Sequence, residues 1–132
     1  MQEKLVQLHA DFARRVAELS HCQRAGCACV LTSVDGESIY AFGYNGSWRG
    51  GPNACTGPVL PGKCECVHAE ANALVKWRPD ARFVAFVSTS PCASCAKLLI
   101  NARCETVYAG AKYRDDAGLL LLSSASVSVR FT

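Results

Sequence analysis

The chain has 132 residues, half of them apolar and 19% charged, which suits one globular domain (residues 1–132) with a single core and excludes a disordered chain. Its formal charge of +3 is too weak a basic balance to argue for long nucleic acid as a partner. No apolar run is long enough to span a bilayer, and the early charges Glu3 and Lys4 do not read as a signal peptide. Without such a signal, nine cysteines point away from a disulfide framework and towards metal in a reducing cytoplasm.

Residues 2–20 predict an amphipathic helix, because Leu5, Leu8, Phe12, Val16 and Leu19 recur at steps of three and four. Charged residues fill most of the other face, and His9 is expected at the surface or the boundary. Residues 20–24 break the pattern. Two short apolar stretches follow, 26–32 and 37–43, with Val34-Asp35-Gly36 as the turn between them, so the pair predicts a β-hairpin. Cys27 and Cys29 alternate with Ala28 and Val30 and read as small buried hydrophobes.

Residues 43–66 are irregular and rich in glycine. So long a stretch without regular structure is usually functional, and glycines let backbone approach a ligand closely. A flexible surface loop is the alternative, but Tyr44, Asn45 and Trp48 suit mere exposure poorly, and Asn45 is expected to face a substrate. Cys64 and Cys66 are too close in sequence for an easy disulfide. With Cys55, and with Cys22 earlier in the chain, they make four thiols that suit a closed structural zinc site. Free thiols are the alternative.

The chemistry concentrates in His68-Ala69-Glu70 and Pro91-Cys92-Ala93-Ser94-Cys95. These supply one imidazole and two thiols for a tetrahedral zinc, plus a carboxylate, Glu70, that need not touch the metal. Structural zinc sites are usually closed by four protein ligands, whereas catalytic ones leave a position for water. Residues 69–77 predict a helix, with His68 and Glu70 in its first turn. Pro91 suits the first position of a second helix, and Cys92 and Cys95, three apart, share one of its faces. Two helix N-termini directed at the metal favour thiolate over thiol. A lone C-x-x-C could be a redox pair or a scaffold zinc site; the companion H-x-E argues against both.

Strands are predicted at 83–88, 105–109 and 127–131, with a short helix within 112–122. Roughly fifteen residues join the last two strands, enough for a crossover, so they should run parallel. The order α-β-β-α-β-α-β-α-β predicts an α/β fold: one mixed five-stranded sheet in a three-layer α/β/α arrangement.

The H-x-E…P-C-x-x-C pattern is the signature of zinc nucleobase deaminases. Joined to Gly43-Tyr44-Asn45-Gly46, to Cys66-Val67-His68-Ala69-Glu70-Ala71-Asn72 and to Lys112-Tyr113-Arg114-Asp115, it makes the chain resemble the deoxycytidylate (dCMP) deaminases of the cytidine deaminase-like superfamily. The resemblance implies zinc on His68, Cys92 and Cys95, and proton transfer by Glu70. It implies that Asn45 binds the sugar or phosphate of the nucleotide, with Gly46 and Ala69 beside it. Tyr113 would line the pocket, and Lys112 and Arg114 would meet the phosphate. Some family members carry a second zinc with ligands near Cys22, Cys55 and Cys66, and the family usually assembles as dimers or hexamers. The implied reaction is hydrolysis of dCMP to dUMP and ammonia. Trp48 departs from the family, which often has Pro there. A tRNA adenosine deaminase would usually have Glu in place of Ser90, and a free cytidine deaminase Cys in place of His68. Another or modified cytosine substrate, and a non-catalytic nucleotide-binding module, stay open.

Overall fold

The computed structural model describes residues 1–55, 64–77 and 80–132. Its helices are α1 (Glu3–Ala17), α2 (Ala69–Leu74), α3 (Ala93–Asn101) and α4 (Ala117–Ser124). Its strands are β1 (Ala28–Thr32), β2 (Ile39–Tyr44), β3 (Phe83–Thr89), β4 (Cys104–Ala111) and β5 (Ser128–Phe131). The sequential order is the expected one. The strands form one five-stranded sheet in the order β2-β1-β3-β4-β5. β1 runs antiparallel to β2 and β3, while β3, β4 and β5 are mutually parallel.

β3 explains why the sheet has two covered faces. Phe83 to Val87 are buried without alternation, as the central strand of a mixed sheet must be when helices lie on both sides. On one side Cys29, Leu31, Ala85 and Val107 pack with Ala73 of α2, Leu99 of α3 and Leu122 of α4. On the other, Val30, Val84 and Phe86 pack against Val6, Ala10 and Ala13 of α1. Full burial of a side chain such as Leu99 stabilises by about 1.5–3 kcal/mol.

α1 buries a different stripe from the one its leucines predict. Val6, His9, Ala10, Ala13 and Val16 face the sheet, whereas Leu8 is 59% exposed; the helix ends at Ala17 rather than at residue 20, which leaves Leu19 beyond it and 51% exposed. Two apolar stripes compete on this helix, and the one with alanines wins because small residues let the helix axis approach the sheet closely. His9 is consequently buried, not at the surface. Its ring lies 5.1 Å from that of Phe86, and its Nε2 is 2.7 Å from the Gly36 carbonyl oxygen.

Two further expectations are corrected. α2 ends at Leu74 rather than at residue 77, because Trp77 leaves the helix to stack on Tyr40 at 4.2 Å and to meet Phe83 edge-on at 5.6 Å. Pro91 does not occupy the first position of α3. Cys92 is the N-cap, with extended backbone, and α3 begins at Ala93. Gly118 of α4 fits under this turn: a Cβ there would stand 2.0 Å from the Pro91 carbonyl oxygen. The part of the irregular stretch at 56–63 lies outside the described residues. Among the described residues, no helix is long and apolar enough to cross a membrane.

Candidate active site and metal centres

The site forms where α2 and α3 begin. His68 is the N-cap of α2 and Cys92 the N-cap of α3. Asn72 holds α2 to β2 by donating from Nδ2 to the Tyr44 carbonyl oxygen at 2.9 Å, and Lys76 donates to that of Phe42 at 2.7 Å. The end of β3 is fixed by buried Ser90. Its backbone N–H donates to the Ala111 carbonyl at 2.8 Å, and its Oγ accepts from the Tyr113 N–H at 2.7 Å. One serine thus sets both the Pro91-Cys92 turn and the start of the segment bearing Tyr113.

His68 Nδ1 lies 3.3 Å from Cys95 Sγ and 3.5 Å from Cys92 Sγ. A tetrahedral zinc with Zn–N near 2.0–2.1 Å and Zn–S near 2.3 Å requires N···S separations of roughly 3.5 Å. The three donors therefore fit a zinc ion, and Nδ1 is the nitrogen that faces it. The chemistry of the set agrees. The Cys92 thiol is held down to about 3 by the Cys95 and His68 side chains that face it, while Cys95 is pushed up by its hydrogen bond to Cys92 and by burial. His68 is raised, chiefly by Cys92.

Glu70, in the first turn of α2, is buried. Burial holds its carboxyl above the usual range, and its own backbone N–H and the Cys95 thiol work against that rise. It lines a cavity of about 30 Å³ together with His68, Ala69, Cys92, Asn45 and Tyr113. A larger cleft of about 890 Å³ is lined by Tyr44, Gly46, Trp48, Cys66 and Val67, among others. It contains none of His68, Glu70, Cys92 and Cys95, so the chemistry assigns the smaller cavity.

The structure distributes the remaining candidates unevenly. Asn45 is in the cavity wall, but its amide also serves the backbone. Oδ1 accepts from the Cys27 N–H at 2.8 Å, and Nδ2 donates to the Ala25 carbonyl at 2.7 Å. One further donor and one further acceptor site are left on that amide. Gly46 pairs with Val67 through two backbone hydrogen bonds and lies in the larger cleft. The Arg114 guanidinium stacks over the Tyr113 ring at 4.5 Å and hydrogen-bonds its hydroxyl. Lys112 is outside the cavity and pairs with Asp116 at 2.9 Å.

Cys22, Cys55, Cys64 and Cys66 converge, their sulfurs all within 4.8 Å of one another. Cys22 Sγ and Cys64 Sγ are 3.8 Å apart. Four sulfurs around a zinc at 2.3 Å stand roughly 3.8 Å apart, so this set also fits. The Cys64 thiol is lowered to about 7: burial opposes the change, and the Cys66 backbone N–H, Arg24 and Cys22 outweigh it.

Two cavity residues escaped the sequence reading. Arg24 and Cys27 both line the wall beside Glu70. Cys29 is a small buried hydrophobe, as expected, but Cys27 precedes β1 and faces the cavity, where burial and the Glu70 charge raise its thiol. Arg24 sits in the segment that merely broke the helical pattern, and nothing in its neighbours gives its direction.

The family model for the cytidine and deoxycytidylate deaminase zinc-binding region matches residues 2–111. The chain is 32% identical over 135 residues to a deoxycytidylate deaminase of Schizosaccharomyces pombe, covering 91% of this chain and 41% of that protein. It is 33% identical over 121 residues to the human deoxycytidylate deaminase, covering 78% and 65%. The chain therefore spans less than two thirds of the length of these relatives. Among solved structures, the dCMP deaminase of cyanophage S-TIM5 in complex with dCMP and dUMP superposes with a TM-score of 0.88 at 27% identity, over 100% of this chain and 99% of that one.

Proposed function

This chain belongs to the cytidine and deoxycytidylate deaminase zinc-binding family, and from that premise we propose that it hydrolyses dCMP to dUMP and ammonia. The observation that carries the reading is a buried carboxylate, Glu70, beside three convergent zinc donors, His68, Cys92 and Cys95. When bound, zinc supplies an activated water at neutral pH. Glu70 takes a proton from the attacking water and returns protons to the ring nitrogen and the leaving amine at C4 of cytosine. Burial, by holding its carboxyl high, suits it to giving a proton back as well as taking one. His68 and the two cysteines fix the metal; Ala69 and the Asn45 amide form the wall against the nucleoside.

The phosphate is the substrate's only dianionic part, and arginine recognises it best through its planar fork of donors. Among the described residues, Arg24 is the arginine that lines the cavity, and Arg114 is stacked on Tyr113 next to it. We assign the phosphate to Arg24, with Arg114 behind Tyr113. Lys112, paired with Asp116, serves the edge of the site at most through its charge.

The four-cysteine cluster holds a second, structural zinc in this reading. None of the nine cysteines is in a disulfide, which leaves them available to metal and supports the reading of a reducing cytoplasm. The exposed Leu8 of α1, and Leu19 just beyond its end, support a homo-oligomer, a dimer or hexamer, which light scattering would test.

The deciding experiment incubates the protein with dCMP, dCTP, deoxycytidine, CMP and single-stranded DNA and measures ammonia. Release from dCMP above all others is expected. Release only from another member of the panel would reassign the substrate, and no release from any would favour a zinc-stabilised nucleotide-binding module.

A further inference from the structure

We propose that the four-cysteine cluster is a positioning device for substrate recognition: through Cys64 it holds the Arg24 guanidinium in the cavity wall, so that metal in the cluster sets how strongly the enzyme prefers a 5′-phosphorylated substrate to the bare nucleoside. The inference rests on the deaminase reading and deepens it.

Arg24 belongs to both sites. Its guanidinium faces the Cys64 sulfur, open to a charge-assisted contact with it, and its side chain lines the cavity that contains His68, Glu70 and Tyr113. The short segment that carries it is tied on both flanks. Ser20 Oγ donates to the Asn45 carbonyl at 2.7 Å and accepts from the Cys22 N–H at 3.1 Å. On the other flank the Asn45 amide grips Ala25 and Cys27. Between these ties, Cys22 faces Cys64 across 3.8 Å. Arg24 Nε is buried and has no hydrogen-bond partner, a donor left over for a ligand.

The metal matters because it decides what Cys64 is. On zinc the sulfur is a fixed thiolate, and a guanidinium bonded to it makes a charge-assisted contact of set direction. Without metal the four sulfurs lose the centre that makes them converge, and Cys64 no longer aims the fork. Cys64 is thus a positioning residue acting through Arg24. Coupling of this kind is reciprocal: a ligand that engages Arg24 must also tighten the hold on the cluster metal.

The test measures kcat/KM for dCMP and for deoxycytidine with the zinc-loaded protein. Cys55→Ser removes one cluster sulfur while leaving Cys64 in place. It is expected to lower the dCMP-to-deoxycytidine ratio about ten- to a hundredfold, through KM for dCMP, since one hydrogen bond to a charged group is worth that much. In an Arg24→Gln background the same substitution should lower the ratio no further. A second readout needs no turnover and no cluster variant. dUMP should slow transfer of the cluster zinc to the chelator 4-(2-pyridylazo)resorcinol in the wild-type protein and not in Arg24→Gln. A folded Cys55→Ser protein that keeps the wild-type ratio, additive losses in the double variant, or zinc transfer indifferent to dUMP would each overturn the inference. Lack of ammonia from dCMP with the wild-type chain would instead overturn the deaminase reading on which it rests.

Discussion

Gly43 of β2 lies directly against Ala69 of α2: a Cβ added to the glycine would stand 2.5 Å from the Ala69 carbonyl oxygen and 2.5 Å from the Ala73 nitrogen. The obstacle is helix backbone, so it cannot turn aside as a flexible side chain would. This contact lets the first turn of α2, and with it Glu70, sit on the sheet next to the Pro91-Cys92 turn. Gly43→Ala should therefore destabilise the fold by about 1–3 kcal/mol, the usual cost of overpacking. It should also lower turnover more than it lowers metal content. Thermal unfolding and zinc analysis of the same preparation check both parts, and a variant with unchanged melting temperature would contradict the close approach.

Glu70→Gln keeps the shape of the side chain and removes its ability to accept a proton. The variant should fold, retain its zinc and lose at least about 10²–10⁴-fold in kcat, the range attributed to a positioned general acid/base. Circular dichroism and metal analysis establish the first two points. Substantial activity in a folded, metal-loaded variant would remove Glu70 from the mechanism.

Metal content separates the two centres. Protein purified without chelator is expected to carry two zinc ions per chain. Cys55→Ser should carry one, and Cys92→Ser should lose the other together with all turnover. A single zinc in fully active wild-type protein would mean that Cys22, Cys55, Cys64 and Cys66 are ordinary thiols.

How far the sequence could be read depended on the kind of signal. The convergence of His68, Cys92 and Cys95 beside Glu70 was legible because spacing carries it: H-x-E and C-x-x-C come together wherever two helices start side by side. The four-cysteine set was legible for the same reason, since thiols without disulfide partners have few other uses. The parallel pairing of β4 and β5 followed from the length of the connection between them. The facing of α1 was not legible, because leucine counts as strongly apolar while a helix settles by how closely it can approach, which favours Ala10 and Ala13. Arg24 was invisible because a loop side chain has no period to betray its direction. The outer position of Lys112 depends on its ion pair with Asp116, and sequence alone gave both basic neighbours of Tyr113 equal standing.

Cys104 provides a test by pH. It is buried, its thiol donates to the Thr106 carbonyl at 3.3 Å, and burial pushes it from an ordinary 9.0 up to about 12. The folded state keeps the proton while the unfolded chain loses it above 9, so the unfolded state binds fewer protons and stability falls between pH 9 and about 12. Cys104→Ala removes this contribution. Its deficit in stability relative to the wild type should shrink by about 1.4 kcal/mol for each pH unit in that window, as measured by urea unfolding. A deficit independent of pH would show that the thiol is not buried as described.

The grip of Asn45 on its surroundings has a bearing on chemical ageing. An asparagine followed by glycine is ordinarily a weak point, where the glycine nitrogen attacks the amide carbon and ammonia is lost. Here the Gly46 nitrogen is occupied in a hydrogen bond to the Val67 carbonyl, and the amide group that would leave is bound to Ala25. The folded chain thus shields its own asparagine from spontaneous deamidation, and lesions at Asn45 should accumulate in heated or denatured stocks rather than in native ones.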